Sequence, residues 1–242
     1  DALAGYNVSG GVDVRGNATI AVNAGGGDEW SGGEIGTLVA NATWAANSRL
    51  GIYVESAPVE ISSALTGTFG LHKLGTGTLV LSGANTFSGG TVLQNGVLSI
   101  AQASHLPASG TLVFTGGTLR VTGTAIASLD SWTLNTGTFR GGIDVDDADH
   151  TLTLNASLSG NGWLVKKGAG TLVIGAAGTL SGPVTNQAGT LRFGASAPWY
   201  PGAALQLSDR SLGGPYPGAG HAPVPPQPGL VPAPPACGLA GA

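Results

Sequence analysis

The chain contains a second, degenerate copy of part of itself. Residues Leu65 to Ile100 overlay Leu158 to Phe193 without a gap, and roughly 15 of the 36 aligned pairs are identical. Among them are Lys73/Lys166, Gly75/Gly168, Gly77/Gly170, Thr78/Thr171, Leu79/Leu172, Ser88/Ser181 and Gly96/Gly189. A domain closed around one core rarely produces such a copy, whereas a stack of like units does so by construction. The offset of 93 residues (158 − 65) divides into about four coils of roughly 23 residues, within the periods that signal solenoids.

Each copy reads as short strands separated by glycine turns. In Thr78-Leu-Val-Leu81 and Thr171-Leu-Val-Ile174, Leu79/Leu81 and Leu172/Ile174 fall on one face while Thr and Val fall on the other. Gly75, Gly77 and Gly83 flank the first of these strands, and Gly89-Gly90 and Asn95-Gly96 punctuate the next stretch of chain, so the backbone turns every few residues without building a helix. Similar units stand between the copies at Gly110–Phe114, Gly117–Val121, Ser131–Leu134 and Thr151–Leu154. The pattern predicts an all-β chain folded as a parallel β-helix. Leu79, Leu81, Leu98, Ile100, Leu112, Phe114, Leu172, Ile174, Leu191 and Phe193 are expected to line one continuous interior. Nine coils stacked at about 4.8 Å would extend roughly 40 Å.

Upstream, Val12/Val14, Ile20/Val22, Leu50/Ile52/Val54 and Ile61 continue the strand pattern less regularly, and the stretch from Ala24 to Gly33 interrupts it as a turn-rich loop. Trp30 is expected to fold back over a rung; exposed beside Asp28 and Glu29, it would instead form a carbohydrate- or receptor-binding tip. Downstream the strand pattern stops near Ala197. Pro198-Trp-Tyr-Pro201, Pro215-Tyr-Pro217 and the run from Pro223 to Pro235 withhold a ladder donor at each proline, which favours extended or irregular chain. The expected organisation is therefore a β-helical part, residues 1–197, with repeat copies near 65–100 and 158–193, and then a Pro-rich linker or tail, residues 198–242.

The segment Gly75-x-Gly-Thr-Leu-Val-Leu-Ser-Gly-Ala-Asn-Thr-Phe-Ser-Gly-Gly-Thr91, continued by Gly96-Val-Leu98, closely resembles the passenger-associated transport repeat of bacterial autotransporters. Residues Lys166 to Phe193 resemble it more loosely, because Gly178-Thr-Leu180 replaces the Asn-Thr-aromatic element and Gly182-Pro183 replaces the paired glycines. The resemblance implies that the β-helix is right-handed and surface-exposed, a passenger carried across the outer membrane of a Gram-negative bacterium by a translocator β-barrel of the same precursor. It also implies localisation at the cell surface or in the medium.

Composition agrees independently. With 43 Gly, 42% hydrophobic and only 9% charged residues, and no Met, the chain has the small-residue character of an exported solenoid. A net charge of −4 with nine Lys and Arg leaves no basic patch, so neither nucleic acid nor an anionic membrane is an expected partner. No apolar run of twenty residues and no signal peptide is present, and Asp1 with the lack of Met reads as a fragment of a larger precursor. The single cysteine, Cys237, permits neither an intramolecular disulfide nor a cysteine metal cluster.

The one cluster with chemical potential is Asp144-Val-Asp-Asp-Ala-Asp-His150, whose carboxylates suit Ca²⁺ and whose histidine suits a transition metal. It lacks the turn glycine and terminal Glu of an EF-hand loop, and no Glu occurs after Glu60. The expectation is a solvated turn at Asp147-Ala-Asp149, with Ile143 and Val145 facing in and Asp144 and Asp146 facing water. Asp146-Asp147 superficially resembles the paired aspartates of polygalacturonases, but no Gly-His-Gly or Arg-x-Lys accompanies it. Of the four histidines, His72, His105, His150 and His221, none lies near a Gly-x-Ser-x-Gly element, and His72 aligns with Val165, as a surface or turn position would. Asn7, Asn17, Asn41 and Asn155 begin N-glycosylation patterns that chance explains in a chain this rich in Asn, Ser and Thr, and no Arg-Gly-Asp occurs. No catalytic, cofactor or metal residue is assigned. The sequence reading is a surface stalk that supports export and display in adhesion or virulence. Its rivals are an adhesin whose loops bind host or polysaccharide directly, and a polysaccharide-degrading β-helix enzyme.

Overall fold

The computed structural model describes residues 3–134 and 137–194 in full and residues 205–207 as backbone. Contacts group the chain into Asp1–Asp209 and Arg210–Ala242, and the second group lies wholly outside the described residues. The expected boundary near Ala197, most of the Pro-rich stretch, His221 and Cys237 also lie outside them.

The alternating sequence pattern becomes strands throughout. In chain order these are β1 (Asp13–Val14), β2 (Thr19–Ala24), helix α1 (Gly32–Asn41), β3 (Thr43–Trp44), β4 (Arg49–Val54), β5 (Val59–Ile61), β6 (Gly70–Leu74), β7 (Thr78–Leu81), β8 (Thr91–Leu93) and β9 (Val97–Ile100). Then come β10 (Gly110–Val121), β11 (Trp132–Leu134), β12 (Thr138–Val145), β13 (Thr151–Leu154), β14 (Ser159–Lys167), β15 (Thr171–Ile174), β16 (Thr179–Leu180), β17 (Val184–Asn186), β18 (Thr190–Phe193) and β19 (Leu205–Leu207).

Strands of one coil pair in parallel with those of the next. One ladder runs β2, β4, β6, β8, β10, with Leu50 opposite Leu71, Leu71 opposite Thr91, and Thr91 opposite Leu112. A second runs β5, β7, β9, β10, with Val59 opposite Leu79, Leu79 opposite Leu98, and Leu98 opposite Leu119. The long β10 joins both, because its first half pairs with β8 and its second half with β9 and β12. The ladder then continues through β12, β14 and β17 to β19, and β13, β15 and β18 form a third face. The units at Gly110–Phe114 and Gly117–Val121, separate in the sequence reading, are thus one continuous strand.

The result is an all-β parallel solenoid of about seven turns rather than nine. Coil length is uneven near the start. Thr19 pairs with Arg49, an offset of 30 residues, whereas Arg49 pairs with Gly70, an offset of 21. The extra length holds α1, which the sequence reading did not expect. Its start is fixed by a capping box: the Ser31 hydroxyl accepts from the Glu34 amide at 3.3 Å, and the Glu34 carboxylate accepts from the Ser31 amide at 2.9 Å. Ile35, Leu38 and Val39 bury one face, and Gly32 and Gly36 let the helix approach so closely that a Cβ would strike the Glu60 carbonyl and the Ser63 side chain.

Leu79, Leu81, Leu98, Ile100, Leu112, Phe114, Leu172 and Ile174 share one buried core. Leu191 and Phe193, in the last coil of the third face, are only partly buried against it. Corresponding leucines of the two copies, Leu79 and Leu172, are both fully inside, so the register read from the period-2 pattern holds. Aromatic rings stack along the axis as well, with Trp44 and Phe69 at 4.4 Å, Phe69 and Phe87 at 5.4 Å, and Phe114 and Phe139 at 4.7 Å between centroids.

Candidate functional site

The two repeat copies build the same local machinery. Lys73 in β6 and Lys166 in β14 point inward and have no exposed surface. The Lys73 ammonium donates to the carbonyl oxygens of Leu74 at 2.5 Å, Gly75 at 2.9 Å and Asn95 at 3.3 Å. Lys166 donates to those of Lys167 at 2.7 Å, Gly168 at 2.7 Å and Ala188 at 3.0 Å. Each acceptor in one copy stands 93 residues from its counterpart in the other. The turns that present these carbonyls need glycine, since Gly75 has φ +71° and Gly168 φ +75°, and a Cβ at either would strike a backbone carbonyl of the preceding coil, that of Val54 or Val145. Gly96 and Gly189, both at φ +63°, do the same for the following coil. Burial lowers both lysines from their ordinary value of 10.5 to about 8, with nearby Asp144 opposing the fall at Lys166.

The Asn-Thr-Phe element adds a second clamp in the first copy only. The buried Asn85 side chain accepts from the Leu65 amide at 2.7 Å and donates to the His105 carbonyl at 2.6 Å, joining the coil before to the coil after. Gly178 replaces Asn85 in the second copy, so that clamp is lost there. The backbone bonds nevertheless persist: Thr86 donates to Leu65 at 2.9 Å and Thr179 to Leu158 at 2.9 Å.

The acidic run is divided rather than convergent. Asp146 and Asp149 are exposed, and the Asp149 amide donates to the Asp147 carboxylate at 3.0 Å, forming the expected turn. Asp144 corrects the sequence reading: it is buried and ion-paired with the Arg120 Nε of the preceding coil at 2.7 Å, rather than facing water. Alternation does place it on the outer face between Ile143 and Val145, and there Arg120 reaches it. His150 is also buried, its Nε2 bonded to the Ile126 carbonyl at 2.7 Å, a geometry that puts the proton on Nε2. Among the described residues no three acidic, histidine or cysteine side chains gather in a metal-holding group.

His105 commits its Nδ1 to the Ala101 amide at 3.2 Å. His72 lies within β6 and is half-buried, where burial and Arg49 lower its proton affinity. Trp30 is half-buried against the core, its amide bonded to the Asn23 carbonyl at 2.9 Å and its ring edge-on to Tyr6 at 4.9 Å. It covers the first coil, as the fold-back reading expected. No helix among the described residues is long and apolar enough to cross a membrane.

The machinery built from Lys73 and Lys166 falls within two matches to the passenger-associated-transport-repeat family, at residues 71–100 and 164–193. The chain is also 40% identical over 166 residues to the adhesin BmaC autotransporter of Brucella suis biovar 1 (strain 1330); the match covers 64% of this chain and 5% of that much longer protein. No solved structure matches the fold significantly. The sequence signal for the strands and turns was the repeat itself, whereas nothing in the pattern distinguished Lys73 as buried. Two matches to the transport repeat in one parallel solenoid, together with this similarity to an autotransporter adhesin, indicate a surface-exposed or secreted protein exported across the outer membrane.

Proposed function

We propose that this segment is a stalk: a stiff solenoid that carries the distal parts of a large passenger away from the cell and supports export of that passenger by a translocator barrel of the same precursor. The observation that carries the reading is the repetition of one coil-joining geometry in both transport repeats, within a ladder unbroken from β2 to β19. Stability in such a stack is a sum of neighbour interfaces, so length is added coil by coil without a new core. The commitment of buried His105 and His150 to backbone partners, and of Asp144 to Arg120, supports a role without catalysis.

A second reading, direct binding of host or polysaccharide by this segment, is favoured by the name of the Brucella relative as an adhesin. The two separate in one experiment. Residues 49–194 are replaced, within the parent precursor, by an unrelated β-solenoid with the same number of turns, and surface exposure and cell attachment are both measured. A stalk keeps both. Loss of attachment with surface exposure intact would assign binding to the segment itself.

A further inference from the structure

We propose that Lys73 and Lys166 are latches that fasten one coil of each transport repeat to the next. The proposal deepens the stalk reading, on which its consequence for export rests. Lys73 interrupts an apolar stack, and Lys166 stands between an apolar residue and Asn186. Along its register position Lys73 lies between Ile52 and Leu93, both fully buried, and Phe114 comes after Leu93. Lys166 likewise lies beside fully buried Ile143. An ammonium in such a place carries a large desolvation cost unless hydrogen bonds replace its water. Packing alone therefore does not account for it, since apolar Ile52 and Leu93 fill the same position on either side of Lys73 and Ile143 fills it before Lys166.

The acceptors explain the placement. Two of the three carbonyls belong to the turn directly after the lysine, Leu74 and Gly75 in one copy and Lys167 and Gly168 in the other. The third belongs to the equivalent turn of the next coil, Asn95 or Ala188, 22 residues further on. With only its own coil folded, the lysine has two partners and an open position. Arrival of the next coil supplies the third, closes the site to water and joins two successive left-handed glycine turns through one side chain. Because each donor reaches forward by one coil, the contact forms only when two coils are in register, and it rewards addition of a coil over a collapsed but unstacked chain.

The two copies serve as each other's control in the test. Native-state hydrogen exchange is measured in the full 242-residue chain for K73M and K166M. The probes are the Gln94 and Val97 amides, bonded to Lys73 and Gly77, and the Gln187 and Thr190 amides, bonded to Lys166 and Gly170. K73M is expected to lose protection at least tenfold at Gln94 and Val97 with little change at Gln187 and Thr190, and K166M to show the reverse. In a K73C chain also carrying C237S, aminoethylation of the unfolded thiol rebuilds a side-chain ammonium, and refolding is expected to restore protection at Gln94. Protection that is unchanged in either variant, falls equally at both copies, or is not recovered on aminoethylation overturns the latch. Failure of the stalk reading is seen separately, in the solenoid replacement, so the two cannot be confused.

Discussion

At residues 73 and 166 an ammonium stands where the preceding coil places an isoleucine, Ile52 or Ile143, and its titration gives the sign of a measurable effect. Burial lowers both lysines to about 8 from 10.5. Between those values the unfolded chain binds protons that the folded chain has released, so this contribution to stability rises with pH and is level below about pH 7.5. The amine left after deprotonation still has two donors for the turn carbonyls. The melting temperature of the native chain, compared with the K73M/K166M double variant, should therefore gain on it between about pH 7.5 and about pH 10. A difference that stays flat or narrows would mean that the lysines keep their ordinary proton affinity, and calorimetry across the range decides it. Asn85 offers a pH-independent counterpart. Asn85→Ala strips partners from the Leu65 amide and the His105 carbonyl, two groups in the stack interior, and should cost about 2 kcal/mol in chemical denaturation. A loss under about 0.5 kcal/mol would show that backbone bonds alone hold that coil together, as they do in the second copy.

Among the elements, the strands were legible because a side chain every second residue must face a common interior, and Leu79, Leu81, Leu172 and Ile174 obey that rule in both copies. Helix α1 was not legible. Five glycines between Gly25 and Gly33 read as turns, and glycine is a poor helix former, so the stretch gave no helix signal beside the capping box that the structure shows at Ser31 and Glu34. Contact explains the conflict: Gly32 and Gly36 are there for close approach to the chain around β5, not for turning. Asp144 was misplaced for a related reason, since alternation fixes the face of a strand residue but not what an arginine one coil away lays over it. The lysines were visible as identical pairs and invisible as a site, because their acceptors are backbone carbonyls, which no side-chain pattern records. Helix docking gives its own test. In Gly36→Val the new side chain meets Ser63, and α1 should undock with a loss of about 2 kcal/mol. Exchange at Gln187 and Thr190, more than a hundred residues away along the solenoid, should be unaffected. Loss of protection there would show that the stack unfolds as one unit rather than coil by coil.

For the whole molecule, the consequence of stacking is that length and register are separable. Two faces of the stack carry the same spacing between the coil of β8–β9 and that of β10: Val92 lies opposite Val113, and Leu98 opposite Leu119, each 21 residues on. Deleting residues 93–113, which is 21 residues, therefore joins Val92 to Phe114 and keeps both faces in register. Phe114 takes the place of Leu93, Leu119 that of Leu98 and Val121 that of Ile100, all apolar and inward. The Lys73 ammonium keeps a forward partner too, because the Gly116 carbonyl moves to the position of Asn95. One neighbour interface is lost from a sum of several, so the shortened chain should fold cooperatively, melt only a few degrees lower and be about 4.8 Å shorter along the axis. Deleting about half that length, residues 93–103, removes the same kind of sequence but leaves each later strand half a coil out of place, with Leu112 and Phe114 facing no partner. That variant should aggregate or remain unfolded. Circular dichroism melts and small-angle scattering of the two deletions compare them directly. If the 21-residue deletion unfolds as completely as the 11-residue one, the molecule is a single cooperative core rather than a stack of separable coils.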